Sequence, residues 1–175
     1  MKLSLDLKKR YTYADYLTWL DDKRRELVNG FIRMMSAPKT LHQEISMNLS
    51  GELRNIIKKN KGKCKIYHAP FDVRLPKNGE REDNMIDTVV QPDICIVCDP
   101  SKLDERGCLG APDFIAEIQS ISTAKYDMTV KFDLYENTGV REYWIVFPLE
   151  GVEVFILQPD GKYDSGTKYE TGKIP

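Results

Sequence analysis

The chain reads as a mixed α/β protein, a mixed β-sheet flanked by helices. Three observations support this. Segments of helical apolar spacing alternate with short β-branched and aromatic runs. An Asn-Gly pair joins two of the short runs as a hairpin. Two acidic residues, Asp93 and Glu117, sit at or inside strands that are otherwise apolar.

In chain order, Thr12 is a suitable N-cap for a short helix through Ala14–Leu20. Arg25–Met35 carries Asn29-Gly30 between two apolar stretches and predicts a hairpin. After Pro38, the spacing of Leu41, Ile45, Leu49, Leu53, Ile56 and Ile57 predicts a helix from about Thr40 to Asn60, with Gly62 beyond its end. Phe71–Leu75 alternates and predicts a half-exposed strand, followed by a polar loop over Pro76–Asp87, the segment most suited to mobility. Val89–Cys98 and Phe114–Ser120 predict strands, and Ser122–Asn137 a helix ending at Gly139. Glu142–Phe147 and Val152–Leu157 close the core, and Asp160-Gly161 turns into a last, weakly specified strand. Tyr143, Trp144, Phe147 and Phe155 fall on these strands and are expected in the core.

The 175 residues fit one domain, with a core expected over about 13–157. At 41% hydrophobic and 30% charged residues the composition is that of a soluble globular protein. No run is long and apolar enough for a membrane span, and Met1–Asp6 lacks the apolar core of a secretory signal, so a cytoplasmic location is expected. The net charge of −1 carries no overall basic excess. Lys58, Lys59, Lys61, Lys63 and Lys65 form a local run, read as a helix C-terminus and solvated turn in preference to a phosphate-contact patch. Of the four cysteines only Cys95 and Cys98 have metal-like spacing. Three apart on a strand they face opposite sides, so reduced core thiols are expected.

Glu117 lies in Phe114-Ile115-Ala116-Glu117-Ile118-Gln119, where a carboxylate is costly unless it is paired, hydrogen-bonded or metal-bound. Glu117 and Gln119 share one face of that strand. Asp93 follows Gln91-Pro92 and opens another apolar strand. If the two strands are neighbours, the carboxylates meet at a sheet edge, and with a backbone carbonyl and waters they make an oxygen-rich site suited to Mg2+ or Mn2+. The competing reading is structural: Asp93 caps a turn and Glu117 pairs with a buried base.

The chain resembles the Uma-two family at Gln91-Pro92-Asp93 and at Pro112–Ser120. The similarity continues through Ser122-Thr123-Ala124, Asp127, Lys131, Tyr135 and Gly139–Val146, and upstream through Glu26–Gly30, Met35–Pro38 and His42. The resemblance implies the restriction-endonuclease-like fold of the PD-(D/E)XK nucleases, a central sheet with helices on both faces. It implies that Asp93 and Glu117 hold a divalent metal, with the Ile118 carbonyl as a third ligand, and that the substrate is nucleic acid, DNA before RNA. A lysine normally stands two residues after the second acid; here Gln119 does, and Lys131 on the next helix is the candidate replacement. Lys131 also has a plain reading as an exposed partner of Asp127. Glu26 adds a carboxylate under the family pattern, and His42 and Tyr135 are candidate substrate contacts that equally serve as structural hydrogen-bonders. The resemblance therefore predicts a metal-dependent nuclease, working as a homodimer if it cuts two strands. Gln119 in the lysine position keeps open an inactive nuclease-like binding or interaction module.

Overall fold

A computed structural model describes residues 5–120, 124–172 and 174. The elements run α1 (Tyr13–Tyr16), β1 (Arg25–Val28), β2 (Phe31–Met34), α2 (Thr40–Lys59), β3 (Lys65–His68), β4 (Val73–Arg74), β5 (Val89–Val90) and β6 (Ile94–Val97). After a 3-10 turn (Pro100–Lys102) come β7 (Leu103–Asp104), β8 (Gly107–Leu109) and β9 (Phe114–Ile118). The next helix has three consecutive parts, α3 (Ala124–Tyr126), a π-helical segment (Asp127–Lys131) and α4 (Phe132–Thr138). It is followed by β10 (Glu142–Phe147), β11 (Gly151–Ile156) and β12 (Thr167–Tyr169). The helix start expected at Ser122 lies outside the described residues.

The strands form two mixed sheets of six, ordered β2-β1-β5-β4-β8-β7 and β12-β11-β10-β9-β6-β3. The second is the central sheet expected from the sequence, with helices on both faces. Ile45, Leu49 and Leu53 of α2 pack on the face made by Ile94, Phe114, Ala116 and Ile118. Phe132 and Tyr135 of α4 pack on the opposite face with Ile115, Tyr143 and Ile145, and Val73, Leu75, Val90 and Cys108 of the first sheet join the same cluster. The alternation of β9 therefore splits its side chains between two hydrophobic layers. The α2 stripe is shorter than its spacing suggests, because Leu41 and Ile56 remain exposed.

Local chemistry accounts for the turns. Thr12 accepts from the Asp15 N–H while Asp15 accepts from the Thr12 N–H, a reciprocal cap that closes α1. Asn29 (φ 51°) and Gly30 (φ 82°) both take positive φ in the two-residue β1–β2 turn, where the hand of the turn matches the twist of the strands.

Four sequence expectations change. The strand expected over Val89–Cys98 is two: β5 belongs to one sheet and β6 to the other, with Gln91-Pro92-Asp93 crossing between them. Phe71–Leu75 holds only the two-residue β4 and is not half-exposed, since Arg74 is buried against Asp104 and the Tyr13 ring. A paired guanidinium hid that burial from a polarity pattern. Cys64 and Cys98 form a disulfide across the ends of β3 and β6, while Cys95 and Cys108 are free and buried. The pairing of Lys65 with Val97 brings these two cysteines together, which spacing along the chain cannot reveal. Phe147, expected in the core, is only partly buried and faces a cavity.

Candidate active site

The crossover after β5 and the end of β9 meet at one place. β6 runs antiparallel to β9 with Ile94 opposite Ala116, so continuing the register sets Asp93 opposite Glu117. The Asp93 Oδ2 accepts the Ile118 N–H at 2.8 Å and hydrogen-bonds the His42 Nε2 at 3.0 Å. His42 comes from the first turn of α2, and its bond to Asp93 raises its pKa, helped by the nearby Ile118 carbonyl. Both hydrogen bonds at Asp93 fall on one carboxylate oxygen, and Oδ1 has none among the described residues.

Glu117 is 4% exposed. Its Oε1 accepts from Lys131 Nζ and from Tyr135 Oη, each at 2.7 Å, and Oε2 has no hydrogen bond among the described residues. Lys131 also reaches Glu26 Oε1 at 3.1 Å, and Glu26 Oε1 accepts the Gln91 N–H at 2.9 Å. Burial pushes the Glu117 carboxyl up to about 8, against the pull of Lys131; Asp93, Asp127 and Glu26 push the same way. Burial opposes the charge on Lys131, yet the carboxylates of Glu117, Glu26 and Asp127 outweigh it and hold the ammonium well above its ordinary range.

Gln119 donates from Nε2 to Asp127 Oδ2 at 3.2 Å. Its buried Oε1 has no hydrogen-bond partner among the described residues. Tyr135 is fully buried.

Glu26, His42, Asp93, Glu117, Ile118, Gln119 and Lys131 all line one cavity of about 830 Å³. Tyr135 stands behind it, against Glu117. Of the two readings of Lys131, the exposed partner of Asp127 does not hold: Lys131 is 4% exposed and bonds Glu117 and Glu26. The run of lysines from Lys58 to Lys65 is exposed and lies outside the cavity lining.

Two cavity residues escape sequence reasoning. Gln91 ties Glu26 through its N–H, and Arg24 donates two bonds to the Gln91 Oε1. Gln91 stood beside Asp93 in the quoted motif, but nothing in Arg24-Arg25 distinguishes which arginine faces the cavity.

Among the described residues no group of three His, Cys, Asp or Glu side chains is arranged to hold an ion by itself. Asp93 and Glu117 each keep a second carboxylate oxygen with no hydrogen bond among the described residues, a donor chemistry that suits a small hard cation. Mg2+ is commonly held by one or two carboxylates and retains several of its waters.

A family model described as "Uma2: Putative restriction endonuclease" matches residues 13–173. A solved structure, titled "Crystal structure of a putative nuclease belonging to DUF820 from Anabaena variabilis ATCC 29413", shares the architecture. It superposes with a TM-score of 0.71 over 94% of this chain and 89% of that chain, at 18% sequence identity, a level at which the fold is what is shared. No curated protein matches. The fold is restriction-endonuclease-like, and the chain, matched along nearly all its length, belongs to the Uma2 family.

Proposed function

We propose that the chain is a single-domain, Mg2+- or Mn2+-dependent nuclease that hydrolyses phosphodiester bonds in nucleic acid, with DNA as its first substrate. The observation that carries this reading is Lys131 Nζ seated 2.7 Å from Glu117, opposite Asp93, in a cavity of pocket size. Lys131 reaches from the helix the place beside the second acid that Gln119 cannot fill with charge.

Asp93 and Glu117, with the Ile118 carbonyl, would hold the ion. A divalent cation there would supply an acidified water and neutralise charge on the phosphate. The chain's own groups do the rest. Lys131 presents N–H donors to an attacking water or to a phosphate oxygen, and Glu26 and Glu117 keep it charged. Gln119 offers its unpartnered Oε1 to orient that water. Tyr135 fixes the Glu117 carboxylate, and His42 fixes that of Asp93.

The test is cleavage of single-stranded, double-stranded and structured oligonucleotides with manganese or magnesium. Asp93→Ala and Glu117→Ala, each shown to be folded, are expected to abolish it. Cleavage surviving in both variants overturns the assignment. The second reading, an inactive binding or interaction module, draws on Gln119 in the lysine position and on Glu117 already engaged by two donors. Calorimetric titration of the parent with Mn2+ separates the two, because the module would bind no ion at these acids.

A homodimer, which sedimentation would detect, and a cytoplasmic location belong to the same proposal. No helix among the described residues is long and apolar enough to cross a membrane. In that location the Cys64–Cys98 disulfide is an exception to the rarity of such bonds in the cytoplasm.

A further inference from the structure

The turn between β10 and β11 has features that the chemistry above leaves unused. Phe147 and Glu150 close it, with the Glu150 N–H donating to the Phe147 carbonyl at 3.0 Å. Pro148 takes the second position and Leu149 the third, with φ +70°. Proline followed by a positive φ describes a type II turn, whose third position ordinarily holds glycine or asparagine. A leucine there is strained. It is not kept for packing either, since Leu149 is 92% exposed.

Its place explains what packing does not. Phe147, Pro148 and Glu150, the residues on either side of it, all line the cavity that contains Asp93 and Glu117. Met34 and Leu41 also line that cavity and are 47% and 41% exposed. Arg33 and Lys39 line it too. Exposed Met34, Leu41 and Lys39 and the half-buried Arg33, stacked on Tyr126, therefore border a pocket whose acid, Glu117, is almost fully buried. The cavity has the volume of a small-ligand site. A phosphodiester meets Glu117 only by entering this cavity.

We propose that Leu149 is a wedge that enters between stacked bases and diverts one strand of a locally opened duplex into the cavity. Apolar side chains inserted at base steps unstack them in this way. Arg33 and Lys39 would meet the phosphates of the diverted strand. The proposal rests on the reading of the cavity as a nucleic-acid site and specifies its substrate class.

Leu149→Gly tests it, because glycine suits φ +70° and the variant is expected to keep the parent's melting temperature. Two readouts are needed: cleavage of matched single- and double-stranded oligonucleotides with Mn2+, and fluorescence of a 2-aminopurine duplex bound in Ca2+. Leu149→Gly should lose about tenfold or more on the duplex and stay within about twofold on the single strand. The rise in 2-aminopurine fluorescence seen with the parent should disappear. Equal cleavage of both substrates by parent and variant, or equal losses on both, overturns the wedge. So does a parent that binds the duplex without unstacking it, or that binds none. If the parent cleaves nothing yet unstacks the duplex through Leu149, the wedge stands and the phosphodiesterase reading falls.

Discussion

Two buried polar clusters lie on either side of Gln91, and both hold a carboxylate whose pKa is raised by burial. In one, Asp72 accepts from Gln91 Nε2 at 2.9 Å and from Tyr13 Oη at 3.4 Å, and Gln91 Nε2 also reaches Tyr16 Oη. In the other, Gln91 gives its backbone N–H to Glu26, which shares Lys131 with Glu117. Asp72 is met by neutral donors and does not line the cavity. Glu117 does line it, and a buried ammonium sits directly on its carboxylate. A perturbed carboxylate alone therefore does not mark a site. What separates these two is access to a pocket and a cation held in place by a second acid.

Lys131→Met puts that distinction under the greatest load. Cleavage should fall about a hundredfold or more if the ammonium acts on the reacting groups. The denaturation midpoint should fall too, since Glu26 and Glu117 lose their shared cation. Unchanged turnover in Lys131→Met would reduce the Glu117 cluster to the same structural status as the Asp72 cluster.

The pH dependence of stability comes next. Folded Glu117 titrates at about 8, against an ordinary 4.5, so between those values the folded state holds a proton that the unfolded state has released. Stability from this group should decline as pH rises through that window. Urea midpoints measured across it should slope downward in the parent and less steeply in Glu117→Gln. An identical slope would show that Glu117 does not carry the shift. Asp72 contributes with the same sign, because burial raises it as well.

Asp72→Asn has the smallest expected effect. It keeps a hydrogen-bonding group at that position, so a loss of about 1 kcal/mol in unfolding free energy is expected, with cleavage unchanged. A large loss of cleavage would mean that the two clusters act as one through Gln91.

The sequence predicts the layers well where one local pattern governs. The spacing of α2, the Asn29-Gly30 turn, and strands β10 and β11 all reflect interactions between near neighbours. The carboxylates of β9 and the β5–β6 crossover stood out because charge in an apolar run is expensive. The rest depended on partners far along the chain. Arg74 reads as a solvent-facing residue until Asp104 and Tyr13 are brought to it. Lys131 stays divided between a site lysine and an exposed partner of Asp127 until Glu117 and Glu26 arrive from other strands. The Cys64–Cys98 bond follows from the pairing of β3 with β6, which required the sheet order.

The π segment Asp127–Lys131 sets the aim of the helix. Asp127 meets Gln119, and Lys131 and Tyr135 both meet Glu117, successive members being four positions apart. In a regular α-helix each such step drifts by roughly 40°, so three members would fan outward. The wider π turn over the first step drifts in the opposite sense and takes most of that angle back. One surplus residue thus works as a vernier between the two halves of the helix. Deleting a single residue within it would swing everything upstream by about a quarter turn, carrying Asp127 away from Gln119 while Lys131 and Tyr135 keep their grip.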